Sequence, residues 1–195
     1  MDAFLPLLQR IDGLLKQGNV YLAIEGGSAS GKTTLSKLLS EKYDCTVFHM
    51  DDFFLRPEQR TPERYAQIGG NVDRERFLQE VLQPVSRGEP VCYRPFDCAK
   101  MEITDGCMIE PKRLVITEGA YAMHPELAAF YNLSVFLEIS PELQRQRILH
   151  RNGPERAKQF FEKWIPLENA YFSGTDIQKR CDLTIQIASN KEAIL

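Results

Sequence analysis

The chain has 195 residues, 43% hydrophobic and 26% charged, with 24 basic against 27 acidic side chains and a net charge of −3. That balance predicts one folded domain over residues 1–195 with a sizeable core. It offers no basic excess for nucleic acid, and no apolar run reaches the length of a membrane span. Asp2 stands early, and no basic region followed by an apolar run is seen, so a cytoplasmic protein without a secretory leader is expected. The cysteines (Cys45, Cys92, Cys98, Cys107, Cys181) are odd in number and lack a C-x-x-C pair, so neither disulfides nor a zinc knuckle is expected. His49, His124 and His150 do not sit at metal-ligand spacing and read as packing or surface residues.

Residues 2–17 carry a helical stripe of Phe4, Leu7, Leu8, Ile11, Leu14 and Leu15, ended by Gly18-Asn19. A buried strand is predicted over 20–25. Gly26-Gly27-Ser28-Ala29-Ser30-Gly31-Lys32-Thr33 follows, then a helix to about Tyr43. The glycine segment has the form G-x-x-x-x-G-K-T between strand and helix, the context of a phosphate-binding loop. Glycines let successive N–H groups turn into one concavity, and the helix dipole adds to that field. Lys32 is expected on the β- and γ-phosphates and Thr33 on Mg²⁺, with Thr34 next to them.

Cys45–Met50 reads as a second strand ending at Asp51-Asp52, followed by a polar stretch to about Val72. A helix is predicted from Asp73, with Phe77, Leu78, Val81 and Leu82 on one face and Pro84 as its stop. Residues 90–110 hold short strand-like pieces and the turn signal Asp105-Gly106, which predicts a small β excursion from the main sheet. Leu114–Thr117, ending at Glu118-Gly119, and Leu133–Ile139 are further apolar strands. Ser140-Pro141-Glu142 opens a helix to about Arg151, which Asn152-Gly153-Pro154 breaks. A helix bearing Phe160, Phe161 and Trp164 follows, and the segment 181–187 closes the sheet. Apolar strands alternating with helices predict a mostly parallel sheet covered on both faces, with ligands at the carboxyl ends of the strands.

The glycine loop, Asp51-Asp52 and Glu118 all fall at such ends. Asp51 suits a base that takes a proton from an acceptor alcohol, or a group that holds Mg²⁺; Asp52 suits capping as well. Glu118 suits an acid that orders Mg²⁺. Arg145, Arg147, Arg151 and Arg156 surround the helix break as a lid would, and Arg147 and Arg151, four apart, share a face.

His49-Met50-Asp51-Asp52-Phe53-Phe54, after this glycine loop, resembles the uridine kinase and phosphoribulokinase-like group of P-loop kinases. The likeness runs through Gly70-Asn71-Val72-Asp73, Tyr93-Arg94-Pro95-Phe96-Asp97 and Ile116–Tyr121 to the arginine-bearing helix, from about residue 20 to 187. The resemblance implies a three-layer P-loop NTPase fold with the excursion at about 88–110 and a lid at about 145–160. It implies an ATP-dependent, Mg²⁺-assisted kinase for a primary hydroxyl such as that of a nucleoside. Lys32, Asp51, Arg147 and Arg151 would then be catalytic. Gly26 to Thr34 would bind nucleotide; Asp51, Phe54, Asp73, Tyr93 and Arg94 would bind the acceptor; Thr33, Glu118 and Asp51 would meet the metal. Where uridine kinases place a histidine soon after that tyrosine, this chain has Arg94-Pro95-Phe96-Asp97-Cys98, which points away from uridine. Arg94 suits an anionic acceptor or a pair with Asp97. No N/T-K-x-D guanine-reading motif occurs, so ATP is expected. Alternatives are a kinase of another small alcohol (a sugar, pantothenate, a vitamin riboside) or a nucleotide-dependent regulatory ATPase. Neither nucleic acid nor membrane is expected as a partner, and homo-oligomerisation is left open.

Overall fold

A computed structural model describes residues 2–188. In chain order the elements are α1 (Leu5–Leu15), β1 (Val20–Gly26), α2 (Lys32–Lys42), β2 (Cys45–His49), α3 (Pro62–Tyr65), α4 (Arg74–Phe77) and α5 (Gln83–Arg87). Then come β3 (Val91–Tyr93), β4 (Phe96–Asp97), β5 (Glu102–Ile103), β6 (Cys107–Ile109), β7 (Leu114–Glu118) and β8 (Leu133–Ile139). The helices α6 (Pro141–Gln159), α7 (Ile165–Thr175) and α8 (Ile177–Arg180) lead to β9 (Leu183–Ile187).

Five parallel strands form the main sheet in the order β2–β7–β1–β8–β9. Alternation along β1 sends Leu22 and Ile24 to one face and Ala23 to the other. On the first face Leu7 and Ile11 of α1 and Leu35 and Leu39 of α2 close the core. On the second, Phe48, Phe53, Phe77, Val81, Val85 and Tyr171 form a larger aromatic core that α4, α5 and α7 cover. Phe53 meets Phe77 edge-on at 4.9 Å. A fully buried ring of this kind contributes about 3–5 kcal/mol against truncation to alanine. The result is an α/β fold with its sheet buried on both sides.

Two helix boundaries differ from the sequence reading. Pro84 does not stop its helix: a π turn at Leu78–Leu82 precedes it. The wider turn places Pro84 in the first turn of α5, where a missing N–H is tolerated, and the helix runs on to Arg87. At Asn152-Gly153-Pro154 the break is a kink. Gly153 adopts φ 71, ψ 166, outside helical space and open to glycine, and helical backbone resumes to Gln159. A second π turn, Phe160–Trp164, leads into α7. The excursion folds as two antiparallel ladders, β3–β6 and β4–β5.

Candidate active site

The loop between β1 and α2 is shaped by its small residues. Gly26 has φ 144, and a Cβ there would lie 2.7 Å from the Leu137 carbonyl oxygen, so β8 admits only glycine. Ala29 and Gly31 also take positive φ, at 60° and 102°. The curl brings Lys32 Nζ back to donate to the Gly26 and Gly27 carbonyls at 2.9 and 3.0 Å. Residues Ser28 to Thr34 line one wall of a cleft of about 890 Å³.

Sheet order assembles the opposite wall. β7 lies between β1 and β2, and its last residue, Glu118, is in register with His49. His49 Nδ1 stands 2.6 Å from Glu118 Oε1, and the Thr33 hydroxyl donates to the same oxygen at 3.0 Å. Burial alone would push the Glu118 carboxyl up; the His49 bond, Lys32 and Thr33 outweigh it and hold it below the ordinary range. The bond to Glu118 raises His49 against the opposing effect of burial. The pair therefore favours imidazolium and carboxylate.

The twin acids after β2 part company. Asp52 accepts the Tyr93 hydroxyl, which also receives the His49 backbone N–H at 3.1 Å. Asp51 turns into the cleft, and no hydrogen bond from the described residues holds its carboxylate. The residue is exposed to solvent through the open side of the cleft, while the protein around its carboxylate displaces part of its water. Burial raises it, Lys32 opposes, and the neighbouring Glu118 and Asp52 charges add to the rise.

Of the arginines around the helix kink, Arg147 and Arg151 line the cleft. Arg147 Nη1 donates to the Ala29 carbonyl at 3.2 Å, and Arg151 Nε to Asn152 Oδ1 at 2.9 Å. Arg145 instead lies over the Phe161 ring at 4.4 Å. Phe54 lines the cleft with its ring 6.3 Å from that of Trp164. Asp73, Tyr93 and Arg94 are not among the residues that line it. Asp73 is buried and caps α4 by accepting the Arg76 N–H. Tyr93 packs in the core against Phe48 and Phe53. Arg94 pairs with Glu80 rather than Asp97, which holds the N–H groups of Ala99 and Lys100. Asp73, Glu80, Arg76 and Arg94 border a separate, smaller depression.

Four site residues escaped the sequence reading. The sequence reads His49 as a packing or surface residue; only the register with Glu118 reveals it. Glu168 of α7 accepts the Ser28 N–H and hydroxyl at 2.9 and 2.6 Å and so pins the glycine loop. Gln144 donates to the Ser28 carbonyl at 2.9 Å. Glu25, the last residue before the loop, is fully buried. An acid inside an apolar strand was a visible signal for it.

The donor set fits a nucleotide phosphate with a hard divalent cation. The loop supplies backbone N–H groups, the α2 N-terminus and a lysine, and Thr33, Glu118 and Asp51 offer hard oxygens. Among the described residues no group of three His, Cys, Asp or Glu side chains forms a metal site by itself. Magnesium commonly combines one or two carboxylates with waters and substrate phosphates.

No family model matches the chain. A uridine kinase of Geobacillus kaustophilus is 25% identical over 172 residues, covering 80% of this chain and 81% of that protein. A uridine kinase of Oceanobacillus iheyensis is 25% identical over 154 residues, 74% of this chain and 73% of that protein. One from Clostridium perfringens is 23% identical over 193 residues, 90% and 91% of the two chains. The solved structure of a possible uridine kinase from Bacillus stearothermophilus superposes with a TM-score of 0.62 at 22% identity, over 93% of this chain and 100% of that one. That likeness is one of fold; the curated relatives add sequence similarity over most of the chain. The chain is thus similar in sequence to curated uridine kinases and in fold to the structure of a possible uridine kinase.

Proposed function

We propose that the chain is an ATP-dependent, Mg²⁺-assisted kinase for the hydroxyl of a small acceptor, in the first place a nucleoside, acting in the cytoplasm as a single domain. The observation that carries the proposal is the carboxylate of Asp51, which takes no hydrogen bond from the described residues and lines the same cleft as the glycine loop, Arg147 and Arg151. Bound ATP and Mg²⁺ supply the transferable phosphoryl group and part of its charge neutralisation. The chain's own groups do the rest. The loop N–H groups and Lys32 hold the phosphates, with Gly26 and Gly27 shaping the turn. Thr33 and Glu118 meet the metal, and His49 keeps Glu118 ionised. Asp51 accepts the acceptor's proton, and its raised position leaves it a stronger base than an exposed aspartate. Arg147 and Arg151 offset charge on the transferring group. Phe54 supplies an aromatic wall for the acceptor. Tyr93 holds Asp52 aside so that Asp51 alone enters the cleft, and Asp73 and Arg94 border the separate depression.

The test is ADP formation from Mg-ATP with uridine, cytidine, other nucleosides, nicotinamide riboside, pantothenate and simple sugars. Turnover that rises with one acceptor class supports the kinase and names its substrate. Slow turnover indifferent to every acceptor contradicts it and favours a regulatory ATPase.

A further inference from the structure

Behind the glycine loop lies a carboxylate to which the reaction just described assigns no part. Glu25 ends the apolar stretch of β1 and is completely buried. Its Oε1 accepts the N–H groups of Gly26 and Tyr121, each at 3.0 Å. Its Oε2 accepts the Met123 N–H at 2.9 Å and the Tyr171 hydroxyl at 3.1 Å. Three cleft elements thus meet on one side chain: the start of the glycine loop, the loop after β7, and α7.

Two of the donors belong to backbone that needs holding. Gly26 has φ 144, and Tyr121, which lines the cleft, has φ 76 on a bulky side chain. Such a residue keeps a left-handed backbone only where its surroundings enforce it. The Tyr171 contact adds α7. Tyr171 lies one helical turn beyond Glu168, which grips Ser28, so α7 is tied to the loop at two points on one face.

We propose that Glu25 is a positioning residue for phosphoryl transfer, one that sets the glycine loop, the Tyr121–Met123 loop and α7 in a single register, so that nucleotide binding at the loop and the placement of α7 are coupled through it. This rests on the kinase reading above. It makes no contact with nucleotide or acceptor and acts through the groups it holds. The accepting role needs the ionised form, because all four partners donate. Burial pushes its carboxyl up to about 7 against the lowering effect of its hydrogen bonds and of Lys32. The other titratable groups facing it are Tyr121, Tyr131 and Tyr171 and the Cys181 thiol, all raised by burial and therefore neutral near pH 7.

The chain's sole tryptophan, Trp164, lines the cleft at the N-terminal end of α7 and so reports the placement of α7. The experiment titrates Mg-ADP into the wild type, Glu25→Gln and Tyr171→Phe, by calorimetry and by Trp164 emission, at pH 6, 7 and 8. A glutamine amide places an N–H₂ against one pair of donors. Glu25→Gln is expected to bind Mg-ADP about 10-fold more weakly, the scale of one hydrogen bond to a charged group, and to lose most of the emission change. Tyr171→Phe keeps the three backbone contacts, so it is expected to bind within about threefold of the wild type but with a reduced emission change; it carries the test if Glu25→Gln does not fold. The wild-type response is expected to shrink as pH falls through about 7, while Glu25→Gln stays flat. Wild-type affinity and emission change in both variants would overturn the role of Glu25 alone. Absence of Mg-ADP binding by the wild type in calorimetry would overturn the kinase reading itself, and this inference with it.

Discussion

Replacing Asp51 by asparagine separates chemistry from binding and folding. The structure assigns the carboxylate almost no structural duty: no hydrogen bond from the described residues holds it, and burial with the charges of Glu118 and Asp52 outweighs the attraction of Lys32 and His49. Asp51→Asn keeps the shape and removes the repulsion, so the melting temperature is expected to stay level or rise slightly. Nucleotide affinity is expected to hold within a few-fold, since Lys32 and the loop remain. Turnover is another matter. Loss of a general base lowers rate by about 10²–10⁴-fold, equivalent to about 2.7–5.4 kcal/mol of transition-state stabilisation. The assay is ADP formation under saturating Mg-ATP and acceptor, with Mg-ADP affinity from calorimetry and melting by circular dichroism. The sign of the pH dependence adds a check. Asp51 must be ionised to accept a proton, so wild-type turnover falls as pH drops through its raised value, and the variant lacks that limb. Turnover within tenfold of wild type would refute the base assignment. Full turnover loss accompanied by loss of nucleotide binding would make Asp51 a metal ligand instead.

Other substitutions probe the cradle. Lys32→Ala is expected to abolish acceptor-dependent turnover while the far-UV spectrum is kept, and near-normal activity would contradict the loop assignment. Gly26→Ala would drive a Cβ to 2.7 Å from the Leu137 carbonyl at φ 144; a loss of about 2–4 kcal/mol in urea unfolding is expected from overpacking and backbone strain, and an unchanged midpoint would show that the loop yields. The His49–Glu118 pair sets a pH window. His49 is raised above 6.5, so its contribution is complete below that value and fades as pH rises through the raised one; Glu118 is lowered below 4.5, so its contribution fades as pH falls through the lowered one. Since His49 is 39% exposed, the effect is about 1 kcal/mol or less. His49→Gln is expected to flatten the alkaline side of the stability profile, and an identical profile would remove the pair from the account.

What was legible in the chain was local. The glycine loop announces itself because strand, turn and helix chemistry lie within about 20 consecutive residues. The strand-end acids Asp51 and Glu118 could be located because apolar strands end where polar chemistry begins. Asp105-Gly106 marked its turn, where Gly106 adopts φ 76. Long-range partnerships were not legible. His49 and Glu118 are 69 residues apart and meet only because β2 lies beside β7. Arg94 had Asp97 close in sequence, yet the ladder of β4 and β5 engages that strand while Glu80, on the π turn, reaches Arg94. Pro84 misled for a related reason, since proline ends a regular α-helix but not one that has already widened into a π turn. Glu168 carried no signal at all, because its partner Ser28 lies 140 residues away.

The most direct measurement identifies the product. Incubating the chain with Mg-ATP and the stimulating acceptor, and resolving phosphorus species by ³¹P NMR and mass spectrometry, tells transfer from hydrolysis. The account predicts an acceptor phosphomonoester formed one-for-one with ADP, absent in Lys32→Ala and strongly reduced in Asp51→Asn. ADP formed with inorganic phosphate alone, at a rate indifferent to acceptor, would contradict it.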